Sequence, residues 1–375
     1  MKMTELLRYD IPPEVIRLWQ ARESDALLPI QELAIKRHSL FGNGNLLIQA
    51  PTSSGKTFVG EMAAIQTALR RKKVVYLVPL KALAEEKHLD FDEKYTPYGL
   101  KVIISTRDHR QFDAQLESGD FSIAIVVYEK LSQVLVRRPE RFAEVELVIA
   151  DELELLSDPE RGANAELLLT QVLQSGCRVI GMSAVLGEAD KLAGWMRADL
   201  VQHDRRPVEL RYGVLHEGLF RYRTYNELSE GEERLADTDL ECSAWETLME
   251  NVAVFAAREE PCLIFVKAKH ESRRGAELLA RRLSLPAAER TIERLTRLES
   301  THSRDTLLET LANGAAFHNA DLSPEERRIV EEGFRQGEIK ALVSTSTLAT
   351  GMNLPAHNVF MTSEKWQYDN RFGMP

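Results

Sequence analysis

From residue 45 onward, two kinds of hydrophobic pattern alternate along the chain. Short runs are apolar at nearly every position: "NLLIQA", "VVYLVP", "KVIIS", "IAIVVY", "LVIA" and "RVIGMS". Between them lie amphipathic stretches with helical patterning, such as "FVGEMAAIQTALRR" and "LKALAEEKHLDFDEKY". A strand that is apolar on both faces is buried on both faces, as parallel strands under crossover helices are. The alternation therefore predicts a doubly wound α/β domain. Around residues 205–240 the rhythm breaks. "RPVELRYGVLHEGLFRYR" reads as a β-hairpin, and "NELSEGEERLADTDLE" as an acidic, solvated linker. Apolar runs resume with "CLIFV", "AAFH", "KALVST" and "NVFMT". The pattern predicts two α/β domains, residues 1–204 and 241–375, joined by a hairpin and linker over 205–240.

Composition narrows the class. At 375 residues, 44% hydrophobic and 28% charged, the chain is long enough for two buried cores and ordinary for a soluble protein. Cys177, Cys242 and Cys262 share no close spacing, which argues against a disulfide framework or a zinc site. The start, "MKMTELLRYDIPPEVI", lacks the apolar centre of a signal peptide, and no apolar run reaches membrane-spanning length. A cytoplasmic monomer is expected. A net charge of −10 argues against a broad basic surface, so a grip on nucleic acid is expected to be local.

The strongest chemical signal is "APTSSGKT", residues 50–57, between a predicted strand and a predicted helix. In that setting the loop Thr52, Ser53, Ser54, Gly55 and the helix start present backbone N–H groups to phosphates. Lys56 supplies positive charge to the β- and γ-phosphates, and the Thr57 hydroxyl is a ligand for Mg²⁺. Ala50 stands where the general pattern has glycine. The partner signal is "LVIADELE", an acidic strand end. Asp151 is expected to hold Mg²⁺ through water, and Glu152 to act as general base on the attacking water. Together they imply hydrolysis of ATP.

"APTSSGKT", "VPLKALAEEK", "DELE", "MSA" and "STSTLATGMNLPA" occur in an order that resembles superfamily 2 helicases. The similarity is to the ski-like branch, in particular to HelQ-type DNA helicases. The resemblance runs from "LLPIQELAI" to "NLPAHNVF" and implies two RecA-like domains that use ATP to track along one strand, 3′ to 5′. It implies single-stranded or forked nucleic acid as the partner, DNA favoured over RNA. A ski-like RNA helicase and a nucleotide-gated binding protein with weak turnover are the alternatives.

The resemblance also assigns roles. Gln31 resembles the glutamine that reads adenine, and Gly351 the glycine that approaches the nucleotide from the second domain. Pro79, Leu80 and Lys81, then Tyr128 and Lys130, resemble two strand-end loops that hold phosphates of the tracked strand. Thr345, Thr347 and His318 resemble strand contacts of the second domain. Glu154 and Ser183 resemble residues that couple the ATP site to movement. Three positions depart from the pattern: Glu154 replaces histidine, Val185 replaces threonine and Arg107 replaces glycine. No Q-x-x-G-R-x-G-R block follows "NVFMT". Since an arginine finger is worth about 10³ to 10⁵ in turnover, the expectation is feeble hydrolysis, unless Arg371 or Arg335 substitutes.

Overall fold

The computed structural model describes residues 1–106, 108–137, 144–184, 187–235, 244–345 and 354–362. The chain divides into two compact units: Met1–Arg211 with Thr224–Leu228, and Tyr212–Arg223 with Ser229–Pro375. Both are α/β with parallel sheets, as the pattern predicts, and this is the RecA-like architecture that the resemblance implies.

The first unit is built on seven strands: β1 (Asn45–Gln49), β2 (Lys73–Val78), β3 (Val102–Ser105), β4 (Ile123–Val127), β5 (Val145–Ala150), β6 (Arg178–Ser183) and β7 (Ala198–Gln202). Their order is β3-β4-β2-β5-β6-β1-β7, and every pairing is parallel. The centres of β1, β2, β4 and β5 are buried on both faces, which is why their sequences do not alternate. From β1 the chain crosses over β6 and β5 to reach β2 through the helix Lys56–Leu69. The carboxyl ends of β1, β6 and β5 therefore lie side by side, where a doubly wound sheet opens its crevice. The edge strand β7 went unpredicted: of its five residues only Val201 is buried, so it carries no apolar run.

The helix Lys56–Leu69 is buried from Phe58 through Ala68, because the sheet covers one side and the N-terminal segment the other. Trp19, on the helix Pro13–Arg22, meets Phe58 edge-on at 5.3 Å between ring centroids. Its indole N–H donates to the Tyr95 hydroxyl at 2.7 Å, and that hydroxyl donates to the Glu61 carboxylate. Lys94, itself buried, pairs with Glu61 at 3.2 Å and with Asp90 at 2.7 Å. A buried carboxylate with two donors is satisfied; removing one partner typically costs about 3–5 kcal/mol.

Three further strands follow: β8 (Arg211–His216), β9 (Leu219–Thr224) and β10 (Glu230–Arg234), in the order β10-β9-β8. The first two match the expected hairpin. The third lies inside the segment read as an acidic linker. Its acidic residues find partners across the antiparallel β9–β10 pair, with Arg223 against Glu230 at 2.5 Å and Arg221 against Glu232 at 3.6 Å. Cross-strand charge pairs stabilise a strand that has no apolar face.

The second unit carries a four-stranded parallel sheet of β11 (Cys262–Val266), β12 (Ala315–His318), β13 (Ala341–Thr345) and β14 (Asn358–Met361). The order is β12-β13-β11-β14. Its core joins Ile264, Phe317 and Val343 of the sheet to Leu279 and Phe334 of the covering helices.

Candidate nucleotide and nucleic-acid site

β1 runs straight into the loop Ala50–Gly55, and the Ala50 N–H still donates to the Ser183 carbonyl of β6 at 3.2 Å. The loop turns through two left-handed residues, Ser53 (φ 63°) and Gly55 (φ 87°). Gly55 is required there: a Cβ would lie 2.3 Å from Gln31 Nε2. The helix at Lys56 has no side-chain cap, so its first-turn N–H groups are left to an anion in the loop. Lys56 Nζ donates to the carbonyls of Ala50 (2.5 Å) and Pro51 (3.0 Å), which holds the ammonium inside the loop. Burial pushes its pKa down, opposed by Glu152, Glu154 and Asp151 nearby. The Ser54 hydroxyl is buried with no hydrogen-bond partner among the described residues. Thr52 and Thr57 are exposed.

Gln31 sits against this loop. Its Oε1 accepts from the Leu28 N–H at 2.8 Å and its Nε2 donates to the Gly55 carbonyl at 3.2 Å. The amide proposed to read adenine thus also braces the phosphate loop.

At the end of β5, Asp151 Oδ2 accepts from the Tyr76 hydroxyl at 3.1 Å and Oδ1 from the Glu152 N–H at 3.0 Å. Burial raises the Asp151 pKa, with the Lys87 ammonium opposing. Glu152 adopts φ 53°, a left-handed conformation uncommon for a residue with a Cβ. Its carboxyl is pushed up to about 7 by desolvation, then by the charges of Glu154 and Asp151. Glu154 accepts from the Ala184 N–H, immediately after Ser183, which is buried at the end of β6. The structure thus brings Glu154 and Ser183 together beside the two catalytic candidates. A carboxylate and a hydroxyl, Asp151 and Thr57, form a donor set that suits Mg²⁺ held jointly with phosphates and water.

The two loops assigned to strand contact end β2 and β4. Leu80 precedes the helix Lys81–Tyr95, which again has no side-chain cap. Arg161 joins the loops: one Nη donates to the Pro79 carbonyl, and the guanidinium pairs with Glu129 at 2.8 Å. Lys81 pairs with Asp108 and Lys130 with Asp113, both at 2.6 Å. The Tyr128 side chain points inward. It is 2% exposed, and its hydroxyl donates to the Asp151 carbonyl at 2.9 Å. This side chain is therefore turned toward the acidic strand end, and sequence gave no sign of that.

In the second unit His318 is also buried, with Nε2 2.8 Å from Glu331 Oε1. The Ser344 hydroxyl donates to the His318 carbonyl at 3.1 Å, tying the ends of β12 and β13, and Thr345 is buried beside it. Thr347 and Gly351, with the departures Arg107 and Val185 and the arginine Arg371, lie outside the described residues. Arg335 ends the helix Pro324–Arg335 and is exposed. Arg206 was missed. Its Nη1 donates to the Thr52 hydroxyl at 2.7 Å, a contact across 154 residues that only the fold reveals.

Two family patterns match the chain. The DEAD/DEAH box helicase pattern covers residues 28–192, and the helicase conserved C-terminal domain covers residues 243–371. Among similar proteins, the ATP-dependent DNA helicase Hel308 of Pyrococcus horikoshii is 34% identical over 379 residues, taking in all of this chain and 50% of the relative. Hel308 of Caldivirga maquilingensis is 35% identical over 96% of this chain and 48% of its own. Hel308 of Methanocella arvoryzae is 33% identical over all of this chain and 50% of its own. The chain spans about half the length of these relatives.

Proposed function

Because this chain belongs to the superfamily 2 helicases of the DEAD/DEAH box type, we propose that it is an ATP-driven motor that moves along single-stranded DNA. The observation that carries this reading is the adjacency of three strand ends. The phosphate loop follows β1, Ser183 ends β6, and Asp151 and Glu152 follow β5. Lys56 and the helix start bind the β- and γ-phosphates of ATP, with Thr57 and Asp151 as the protein ligands of Mg²⁺. When bound, Mg²⁺ neutralises charge on the phosphates as the terminal bond breaks. Glu152 takes the proton of the attacking water. A carboxyl raised to about 7 is a stronger base than an ordinary one and suits proton transfer near neutral pH.

The tracked strand lies across the loops at Pro79–Lys81 and Tyr128–Lys130, its phosphates on backbone N–H groups and lysines, without regard to base sequence. DNA is favoured because the similar proteins are DNA helicases. Among the described residues no helix is long and apolar enough to cross a membrane, in keeping with a cytoplasmic motor, which we take to act as a monomer. The test is ATPase activity with matched single-stranded DNA and RNA, alongside nucleotide binding by Lys56→Ala and Glu152→Gln. Lys56→Ala should lose tight nucleotide binding, and Glu152→Gln should bind but not hydrolyse. Hydrolysis by Glu152→Gln at the unmutated rate would remove Glu152 from the role of base.

A further inference from the structure

After β7 the chain leaves the sheet alongside β1: the His203 N–H donates to the Gln49 carbonyl at 3.0 Å, one rung past the strand. Three residues later Arg206 reaches the phosphate loop, on the Thr52 hydroxyl. Its backbone is fixed independently of its side chain. The Asn226 amide accepts from the Arg206 N–H at 2.8 Å and donates to the Arg206 carbonyl at 3.1 Å. Asn226 is in turn held by Glu209, which accepts from its N–H at 2.8 Å. The guanidinium lies over the Tyr225 ring, 5.8 Å from its centroid.

A guanidinium is not needed to pin this segment, since Asn226 already does so twice. What the guanidinium adds is charge. It places a second cation at a loop that already holds Lys56. Arg206 Nε is buried yet has no hydrogen-bond partner among the described residues. A buried, unsatisfied donor on a cation is costly unless an anion arrives to meet it. In the reading above the helix start and Lys56 face the β- and γ-phosphates, and Arg206 stands at the opposite end of the same loop, on the exposed Thr52.

We propose that Arg206 is a nucleotide-binding residue that engages the terminal phosphate of a nucleoside triphosphate from the side of Thr52. The fork of N–H donors suits a phosphate in a way a single hydroxyl does not exploit. Arg206 thereby distinguishes triphosphate from diphosphate. The inference rests on the reading of residues 50–57 as the ATP site.

The test is equilibrium binding of fluorescent ATP and ADP, with Mg²⁺, to the chain carrying Glu152→Gln so that ATP persists. Adding Arg206→Ala should weaken ATP about tenfold, the usual effect of losing one charge-assisted contact, and leave ADP within about twofold. Arg206→Lys keeps the charge without the fork and should fall between. It also serves as the folded control, with thermal unfolding as the check. Equal loss of ATP and ADP in Arg206→Ala, or no loss of either, would overturn the proposal in favour of a loop brace. If the Glu152→Gln parent binds neither nucleotide, or if Lys56→Ala binds both as the parent does, the ATP-site reading itself falls.

Discussion

Substituting Glu152 by glutamine should stabilise the protein in a pH-dependent way, before any nucleotide is added. Desolvation and the neighbouring Glu154 and Asp151 move the Glu152 carboxyl from its ordinary 4.5 to about 7. In the unfolded chain the carboxyl ionises freely at 4.5, whereas in the folded chain it resists ionisation until about 7. Stability attached to this group is therefore complete below about pH 4.5 and is lost as pH rises through 7. The difference between the two values, at about 1.4 kcal/mol for each pH unit, sets an upper bound of roughly 3.4 kcal/mol. Glu152 is exposed at the rim of the site, and solvent screening lowers this to about 1 kcal/mol. Glutamine never ionises and should recover that amount above pH 8. For a unit of this size the gain is a rise in Tm of about 2–4 °C. Differential scanning calorimetry from pH 4 to 8.5, in chelator without nucleotide, should show the two curves parting as pH rises from about 4.5 to about 7 and running parallel above. Curves that stay parallel across the whole range would refute the crowding of Glu152 by its neighbours.

Two other outcomes follow from single features of the first unit. Gly55→Ala forces a Cβ into a left-handed residue and against the Gln31 amide, costing about 1–2 kcal/mol, visible by denaturant unfolding, together with loss of nucleotide affinity. Lys81 and Lys130 are each neutralised by an aspartate, so Asp108→Asn with Asp113→Asn should tighten single-strand binding. The plot of log K against log salt, read by fluorescence anisotropy, should steepen by about 0.7 for each lysine released. An unchanged slope would remove both lysines from the strand path.

Much of the first unit was legible because its strands are covered on both faces, and continuous apolar runs such as "IAIVVY" have no other reading. The phosphate loop was legible for a local reason: its chemistry is contained in eight consecutive residues. What was hidden depended on tertiary direction. A tyrosine at a strand end reads the same whether it faces solvent or, as Tyr128 does, turns back to a carbonyl on another strand. Arg206 lies in a stretch whose patterning announces a hairpin, and nothing local marks the arginine as reaching residue 52. Strand β10 was read as linker because its cohesion comes from ion pairs across a sheet rather than from an apolar face.

The hydrogen bond from Tyr128 to the Asp151 carbonyl has a thermodynamic corollary. It joins the loop assigned to the strand to the backbone of the residue whose carboxylate is assigned to the metal, within one unit and through a single side chain. Binding free energies are state functions, so if DNA improves nucleotide affinity by some factor, nucleotide must improve DNA affinity by the same factor. Any part of that factor carried by the phenol hydroxyl has to vanish from both directions at once in Tyr128→Phe, which keeps the ring and removes only the donor. Nucleotide titrations with and without DNA, and DNA titrations with and without nucleotide, then form a closed square. A deficit on one pair of sides without the matching deficit on the other would mean that the substitution had damaged a site rather than severed a connection.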